Sequence, residues 1–182
     1  MWHQQFEGID LERLVFLDES GATTNMTRSR GRAIQGQRVI GKTPHGHWKV
    51  TTIISAVGLR GAFASAIFDC PTDREVFQAY VDQVLTPALQ PGDIVILDNL
   101  QPHKAPGIRE SIERVGASVL YLPPYSPDFN PIENMWSKLK QHLRTVGART
   151  FEALYDAIAG GLQQITSSDC RGFFHGCGYA TT

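Results

Sequence analysis

The sequence is poor in cysteine and in long hydrophobic segments, and each shortage argues against a class of protein. Three of the 182 residues are cysteine, an odd number that does not suit a disulfide framework and favours a reducing intracellular compartment. No apolar run approaches the roughly 20 residues needed to cross a bilayer, so we expect no membrane partner. The first ten residues, MWHQQFEGID, lack the basic, apolar and small-residue pattern of a signal peptide.

Acidic residues are missing from two long stretches, although the whole chain has a net charge of −1. Residues 20–68 contain instead the basic residues Arg28, Arg30, Arg32, Arg38, Lys42, Lys49 and Arg60. Residues 134–151 contain Lys138, Lys140, Arg144 and Arg149. A polyanion responds to the local field rather than to the net charge. Both stretches are therefore compatible with nucleic-acid binding; the alternative interpretation is a pair of ordinary solvated faces.

Hydrophobic periodicity predicts a single α/β domain in which three strands precede alternating helices and strands. RLVFLDES, WKVTTIISAVG and GAFASAIFDC have the content of strands, and LRG between the last two is a hairpin signal. Two further strands, in PGDIVILDN and ASVLYLP, alternate with helices that start near Thr72, Pro106, Asn130 and Thr150. The order β, β, β, α, β, α, β, α, α implies a mixed sheet with helices packed on its faces.

Three segments lack a clear period and are predicted to be irregular. Residues 1–12 would form an incoming linker, and residues 21–46 a long basic excursion with one hairpin at most, around RVI. The third segment is the tail SSDCRGFFHGCGYATT. Its Cys170, His175 and Cys177 lack a clear fourth zinc ligand, so we interpret the tail as packed against the domain.

Two predicted strands end in a carboxylate. Asp18 follows the apolar run of the first strand, and Asp98 follows IVIL. Either aspartate by itself could simply begin a turn. If the two strands are neighbours, both carboxylates face the crevice at the carboxyl ends of the strands, where open α/β sheets bind ligands.

The segment YLPPYSPDFNPIENMWSKLKQHLR supplies a third carboxylate. Asn130, Pro131 and Glu133 fit the N-cap, N1 and N3 positions of a helix, so Glu133 could serve only in a capping box. The apolar positions of this helix form a buried stripe at Ile132, Trp136, Leu139 and Leu143. Glu133 then lies at the border of the core, on the flank of Lys140 and Arg144, and could also reach a crevice. Both interpretations stay open.

Bringing three carboxylates together requires a compensating charge. Two unit charges about 4 Å apart repel by about 4 kcal/mol at an effective dielectric of about 20. A hard divalent cation removes that penalty, and oxygen-only ligands favour Mg²⁺ or Mn²⁺ over zinc. Two such ions, roughly 3.5–4 Å apart, support phosphodiester displacement. Beside basic stretches whose arginines suit bidentate phosphate binding, the expected substrate is a nucleic-acid backbone.

Three segments together resemble the catalytic segments of DDE transposases in the insertion-sequence branch of the Tc/mariner superfamily: VFLDES, ILDNLQPHK and LPPYSPDFNPIENMWSKLK. The resemblance extends from about residue 13 to residue 179, and SPDFNPIEN is its most specific part. The family's last two catalytic acids are separated by 34 residues, as are Asp98 and Glu133. The resemblance implies that Asp18, Asp98 and Glu133 are the catalytic, metal-binding triad, with Asn99 and His103 in supporting positions.

The same resemblance implies a fold, an activity and partners. The fold would be ribonuclease H-like, a mixed five-stranded sheet flanked by helices, over residues 13–182. Family members use Mg²⁺ or Mn²⁺ to cut DNA at the ends of their element, and the released 3′-hydroxyl attacks target DNA, typically at TA. We expect a cytoplasmic, nucleoid-associated protein that acts on double-stranded DNA as a homodimer. The predicted DNA contacts are Arg28, Arg30, Arg32, Arg38, Lys42, Lys138, Lys140 and Arg144.

One family feature has no counterpart in the sequence. Members usually carry an N-terminal helix-turn-helix region that recognises the terminal repeats. We therefore expect an upstream helix-turn-helix polypeptide, a frameshift fusion or a truncated element. The alternative hypothesis is a catalytically inactive relic that only binds or assembles on DNA. A general ribonuclease H is less favoured, because SPDFNPIEN has no place in that pattern.

Overall fold

A mixed β-sheet runs through the centre of the structure, a computed structural model that describes residues 2–42, 44, 48, 50–100 and 102–179 without the side chain of Pro102. Its strands are β1 (Leu14–Ala22), β2 (Thr51–Gly58), β3 (Gly61–Phe68), β4 (Ile94–Leu97) and β5 (Ser118–Tyr121). The spatial order is β3-β2-β1-β4-β5. The first three strands are antiparallel neighbours, whereas β4 and β5 run parallel to β1. The predicted mixed five-stranded sheet is confirmed.

Helices flank this sheet. They are α1 (Arg74–Tyr80), α2 (Pro106–Arg114), α3 (Pro131–Val146), α4 (Phe151–Gln163) and α5 (Ser167–Gly176). The chain continues from α1 through a π-helical turn, Val81–Leu85, and a 3₁₀ turn, Thr86–Ala88. Further 3₁₀ turns are Trp2–Phe6, Leu11–Arg13, Pro102–Lys104 and Pro127–Phe129. Within the described ranges, none of the helices is long and apolar enough to cross a bilayer.

The alternation of side chains along β1 separates two hydrophobic layers. Phe16 packs in the layer that contains Trp136 of α3, whereas Leu17 packs in the layer that contains Phe77 of α1. All four side chains are at most 1% exposed. Burying a large apolar side chain contributes about 1.5–3 kcal/mol, so these layers fix β1 between two sets of helices. Asp18 is two residues after Phe16 and so lies on the same face of β1, the face that α3 covers.

The tail is helical rather than irregular, which corrects the sequence-based prediction. Thr166 and Asp169 form a capping box at the start of α5. Cys170 and Phe174, four residues apart on the helix, are both fully buried. Gly172 and Gly176 dilute this apolar pattern in the sequence, but tertiary burial of the two anchors overrides their low helix propensity.

The start of α1 also differs from the prediction. Asp73, rather than Thr72, caps the helix, because its side chain accepts hydrogen bonds from the backbone N–H groups of Glu75 and Val76, each at 2.9 Å. A carboxylate is the stronger acceptor at an N-cap and also interacts favourably with the helix dipole.

The excursion between β1 and β2 has no strand or helix among its described residues, which agrees with the predicted irregular segment, and the one hairpin that the sequence allowed around RVI does not form. Ile34 and Ile40 are 75% and 85% exposed. An isolated two-stranded hairpin is only marginally stable in water, and these exposed side chains supply no buried face to support one. β2 accordingly starts at Thr51, later than the predicted start near Trp48.

The segment that we predicted as a linker is folded against the other end of the chain. The indole Nε1 of Trp2 donates a hydrogen bond of 2.8 Å to the hydroxyl of Tyr179. Phe6 is buried and packs edge-to-face on the same tyrosine, with ring centroids 5.6 Å apart. These contacts bring the N-terminal segment to the face of the sheet that α3 covers.

Candidate functional site

Asp18 lies where β1 emerges from the core. Residues 14–17 are buried, and Asp18 is partly exposed at the end of that run. Its side chain points to the α3 side, where the indole Nε1 of Trp136 donates to Asp18 Oδ2 at 3.2 Å. From its place in the apolar stripe, Trp136 is predicted only to be a core residue. The signal was available, because a buried indole N–H requires an acceptor.

Asp98 follows β4, the parallel neighbour of β1. Leu17 pairs with Leu97 in the register of these strands, so Asp18 and Asp98 are the next residues along two adjacent strands. Asp98 Oδ1 accepts the backbone N–H of Leu100 at 3.1 Å and His103 Nδ1 at 2.5 Å. The two aspartates are therefore neighbours in space. The first strand does not end at Asp18 as predicted, because β1 continues to Ala22 by pairing with β2, whereas Asp98 directly follows β4.

Glu133 projects from the first turn of α3, and the predicted capping box around it does not form. Asn130 is the N-cap residue, but its side chain accepts no capping hydrogen bond. Its backbone N–H donates to the carbonyl of Pro127 instead, so it is unavailable to Glu133. The Glu133 side chain is exposed. The capping interpretation is wrong, and what remains for the carboxylate in the helix is the modest favourable interaction of a first-turn acid with the helix dipole.

One cleft of about 430 Å³ joins the three carboxylates. Asp18, Asp98 and Glu133 all line it, together with Asn99 and Lys104. The loop from Leu122 to Pro127 forms another wall. Lys104 is a cation of this cleft that the sequence analysis missed, although it stands in the same segment, ILDNLQPHK, as Asp98 and His103.

The electrostatics of the cleft disfavour a charged Asp18. Burial raises the pKa of Asp18 to about 7, and the neighbouring carboxylates of Glu133 and Asp98 add to the rise. Hydrogen bonds from the Glu19 backbone and Trp136 act in the opposite direction and do not cancel it. A carboxylate that is costly to ionise beside two others is a feature of functional sites.

His103 holds Asp98 in place. It is buried and stacks on Phe77, with ring centroids 4.3 Å apart. Its Nε2 lies 3.6 Å from Glu19 Oε1, so the ring bridges Glu19 and Asp98. Burial lowers the pKa of His103, but the hydrogen bonds to Asp98 and Glu19 outweigh burial and raise it to about 9.

The same contact acts on Asp98 in the opposite sense. Burial raises the pKa of Asp98, but the hydrogen bond and charge of His103, with help from Leu100 and Lys104, hold it below its ordinary value. Asp98 is therefore stabilised as an anion, whereas Asp18 is not. Glu19 faces away from α3, as the alternation of a strand requires, and serves His103 rather than the cleft.

The donor set of the cleft fits a hard divalent cation in kind. Carboxylate oxygens are the preferred ligands of Mg²⁺ and Mn²⁺. Burial is the main reason why the pKa of Asp18 is raised, and such a cation would remove the repulsion from Glu133 and Asp98 that adds to the rise. Across residues 2–42, 44, 48, 50–100 and 102–179, no group of three or more His, Cys, Asp or Glu side chains lies close enough together to hold a metal ion as the side chains stand. The three acids share a cleft without forming a closed ligand shell.

The basic residues singled out from the sequence fall into three environments. Arg28, Arg30, Arg32, Arg38 and Lys42 are exposed on the excursion, and Lys49 lies outside the described residues. Lys140 and Arg144 are half-buried, about two and three helical turns beyond Glu133 on the same side of α3.

Two other cations have structural partners. Lys138 Nζ pairs with Asp169 Oδ2 of α5 at 2.6 Å. The guanidinium of Arg149 donates to the carbonyls of Thr24 and Met26, each at 3.1 Å, and so anchors the start of the excursion. Neither contact could be read from the sequence, because the partners are distant along the chain.

Comparison with known proteins agrees with this geometry. The sequence profile of the family described as DDE superfamily endonuclease matches residues 13–155. The transposable element Tcb2 transposase of Caenorhabditis briggsae is 28% identical over 104 residues, which are 55% of this chain and 38% of that protein.

Two solved structures illustrate the likeness of fold. The Mos1 mariner paired end complex with Mn superposes with a TM-score of 0.77 at 17% identity, over 97% of this chain and 55% of that chain. The catalytic domain of Mos1 mariner transposase gives a TM-score of 0.67 at 15% identity, over 97% of this chain and 81% of that one. The segment that matches the Tcb2 transposase spans under half of that protein's length. The fold is the ribonuclease H-like fold of these catalytic domains.

Proposed function

This chain belongs to the DDE superfamily endonuclease family and has the fold of a Tc/mariner transposase catalytic domain, and we propose that it cuts and joins DNA at transposon ends. The observation on which the proposal rests is that Asp18, Asp98 and Glu133, from three separate elements, line one cleft. The proposed domain spans residues 13–182. Its chemistry is phosphodiester hydrolysis, followed by attack of the released 3′-hydroxyl on target DNA, typically at TA.

Asp18, Asp98 and Glu133 are proposed to hold Mg²⁺ or Mn²⁺, with two ions in the complete site. Bound there, the cations would stabilise negative charge on the scissile phosphate and activate the attacking oxygen. The chain's own residues prepare the ligands. Trp136 orients Asp18 through Oδ2, and His103 fixes Asp98 through Oδ1 and keeps it ionised. Asn99 lines the cleft beside Asp98 as a further polar contact.

We place the DNA backbone along the side of α3 that begins at Glu133 and continues through Lys140 and Arg144. Arg28, Arg30, Arg32, Arg38 and Lys42 of the excursion are exposed and available for phosphate contacts. Lys138 is a weaker candidate, since it would first have to leave Asp169. The proposed partners are double-stranded end and target DNA, a second copy of the chain, and a helix-turn-helix region supplied upstream.

Replacement of Glu133 by glutamine tests the proposal. The change keeps the size of the side chain and removes a charged ligand. We expect cleavage of a nicked duplex in Mg²⁺ or Mn²⁺ to fall by about 10³-fold or more, because a metal ligand is worth several kcal/mol in the transition state.

The matched control is Glu152→Gln. Glu152 is also an exposed first-turn glutamate, at the start of α4. Its replacement by glutamine therefore removes the same favourable interaction with a helix N-terminus. We expect full activity from this variant. Undiminished metal-dependent cleavage by Glu133→Gln would remove Glu133 from the mechanism.

The second candidate function is a DNA-binding or assembly relic without activity. The observation that favours it is the absence of a closed three-residue metal cluster among the described residues. Calorimetric titration with Mn²⁺ separates the two functions. The endonuclease requires an affinity for Mn²⁺ that Asp18→Asn abolishes, whereas a relic would show no carboxylate-dependent binding and no cleavage.

A further inference from the structure

We propose that Tyr179 is a positioning residue for the triad, because it ties the turn that leads into Glu133 to the strand that carries Asp18. The inference rests on the proposed function. Tyr179 lies in the tail, remote in sequence from both acids, and lines no part of the cleft that the acids share.

The hydroxyl of Tyr179 makes two hydrogen bonds. It donates to the carbonyl of Phe129 at 2.8 Å and accepts from the indole Nε1 of Trp2 at 2.8 Å. The side chain is 2% exposed. Burial raises the pKa of Tyr179 above its ordinary value, so the hydroxyl keeps the proton that it donates. Phe129 is the last residue of the 3₁₀ turn before α3, and the Glu133 helix begins two residues later.

The beginning of α3 needs such a tether because its ordinary cap is missing. Asn130 makes no side-chain capping hydrogen bond, and its buried Oδ1 has no partner among the described residues. Without a cap, the direction in which the first turn leaves the preceding loop depends on contacts from elsewhere. The Tyr179–Phe129 hydrogen bond supplies one from a residue 50 positions away.

Aromatic packing reinforces the tether on both sides. The rings of Trp2 and His3 lie against Phe129, at centroid distances of 6.4 Å and 4.9 Å. The ring of Tyr179 meets that of Phe16 edge-to-face at 5.2 Å. Phe16 is two residues before Asp18 and on the same face of β1. Tyr179 therefore contacts both the turn that leads to Glu133 and the strand that contains Asp18.

The test compares Tyr179→Phe with Tyr80→Phe. Both changes remove one buried hydroxyl that donates to a backbone carbonyl, since Tyr80 donates to Ala64 at 2.7 Å. Tyr80 lies in the layer on the opposite side of the sheet. Tyr179→Phe also leaves the Trp2 indole N–H without its acceptor, so it should lose somewhat more stability than Tyr80→Phe. Only Tyr179→Phe should disturb the position of Glu133.

The readouts are the dissociation constant for Mn²⁺, measured by calorimetry on the full chain, and the Mn²⁺ concentration for half-maximal cleavage of a nicked duplex. We expect Tyr179→Phe to raise both by about 10-fold, the lower end of the range for residues that orient metal ligands. Tyr80→Phe should leave both unchanged. Equal Mn²⁺ affinities in the two variants would overturn the positioning role.

A second variant covers the case in which Tyr179→Phe does not fold. Trp2→Phe keeps the Tyr179–Phe129 hydrogen bond and removes the N–H that orients the hydroxyl, so we expect about a threefold rise in the Mn²⁺ dissociation constant. No rise in this variant would then overturn the inference. Failure of the wild-type chain to bind Mn²⁺ or cut DNA would overturn the proposed function instead.

Discussion

Two carboxylates meet α3 on different sides of the helix, and their environments are opposite. Asp169 Oδ2 accepts from the backbone and hydroxyl of Thr166 and pairs with Lys138, and these contacts lower the pKa of Asp169 to about 2. Asp18 receives one side-chain hydrogen bond, from Trp136, and burial beside two other acids raises its pKa to about 7.

The contrast separates structure from function in this molecule. Asp169 completes a cap and an ion pair, so its charge stabilises the fold. Asp18 is ionised only at a cost that the protein itself does not recover. Perturbed acids are concentrated at functional sites, and here the direction of the shift distinguishes the two. The acid that the fold leaves unstabilised is the one placed in the cleft.

The largest effect is expected from Asp18→Asn. We predict a loss of metal-dependent cleavage of about 10³-fold or more, because the variant lacks a metal ligand. The melting temperature of the metal-free protein should stay level or rise by about 2 °C, since the variant removes a partly buried carboxylate that Asp98 and Glu133 repel. A strongly destabilised Asp18→Asn, by thermal denaturation, would show that Asp18 belongs with Asp169 as a structural acid.

Added Mn²⁺ should stabilise only those chains in which Asp18 is intact. At Mn²⁺ concentrations about 100 times the dissociation constant, the wild-type chain should gain about 2.7 kcal/mol of unfolding free energy. Asp169→Ala should gain the same amount, and Asp18→Asn should gain little. Denaturant titrations with and without Mn²⁺ measure all three, and an equal gain in Asp18→Asn would place the metal elsewhere.

Asp169→Ala should lower the unfolding free energy by about 1–2 kcal/mol, the usual cost of losing a helix cap. The carboxylate both caps α5 and pairs with Lys138, so the loss should be larger than for Lys138→Met, which keeps the cap. Cleavage by properly folded Asp169→Ala should equal that of the wild type. Reduced cleavage without unfolding would mean that this side of α3 also contributes to the site.

The smallest effect is a pH dependence. The pKa of Asp169 is lower in the folded chain, about 2, than its ordinary value of 3.8. Its contribution is therefore present above pH 3.8 and is lost as the pH falls towards 2. The stability difference between wild type and Asp169→Ala should be constant from pH 7 to about pH 5 and shrink below that. A constant difference down to pH 3 would contradict the assigned ion pair.

Much of this could be predicted from the sequence, and the failures have a common cause. Strand patterns located Asp18 and Asp98 at the ends of apolar runs, and helical phase put Glu133 at the border of the α3 stripe. The predicted capping box does not form because the backbone N–H of Asn130 donates to the carbonyl of Pro127. That hydrogen bond depends on the conformation of the whole preceding turn, which the Asn-x-x-Glu pattern does not specify. The α5 helix was not predicted because its two glycines lower the helix propensity of the segment, so the helical spacing of the buried Cys170 and Phe174 was not recognised.

The sequence by itself determined most of the alternation of strands and helices, two acids directly after apolar runs and the third in the first turn of a helix, because backbone propensity and hydrophobic period act over a few residues. Tertiary structure alone decided which groups support those acids. Trp136 reaches Asp18 across 118 residues, and Tyr179 reaches Phe129 across 50. Such pairings depend on how the helices pack on the sheet, and packing is a property of the assembled layers rather than of any local segment.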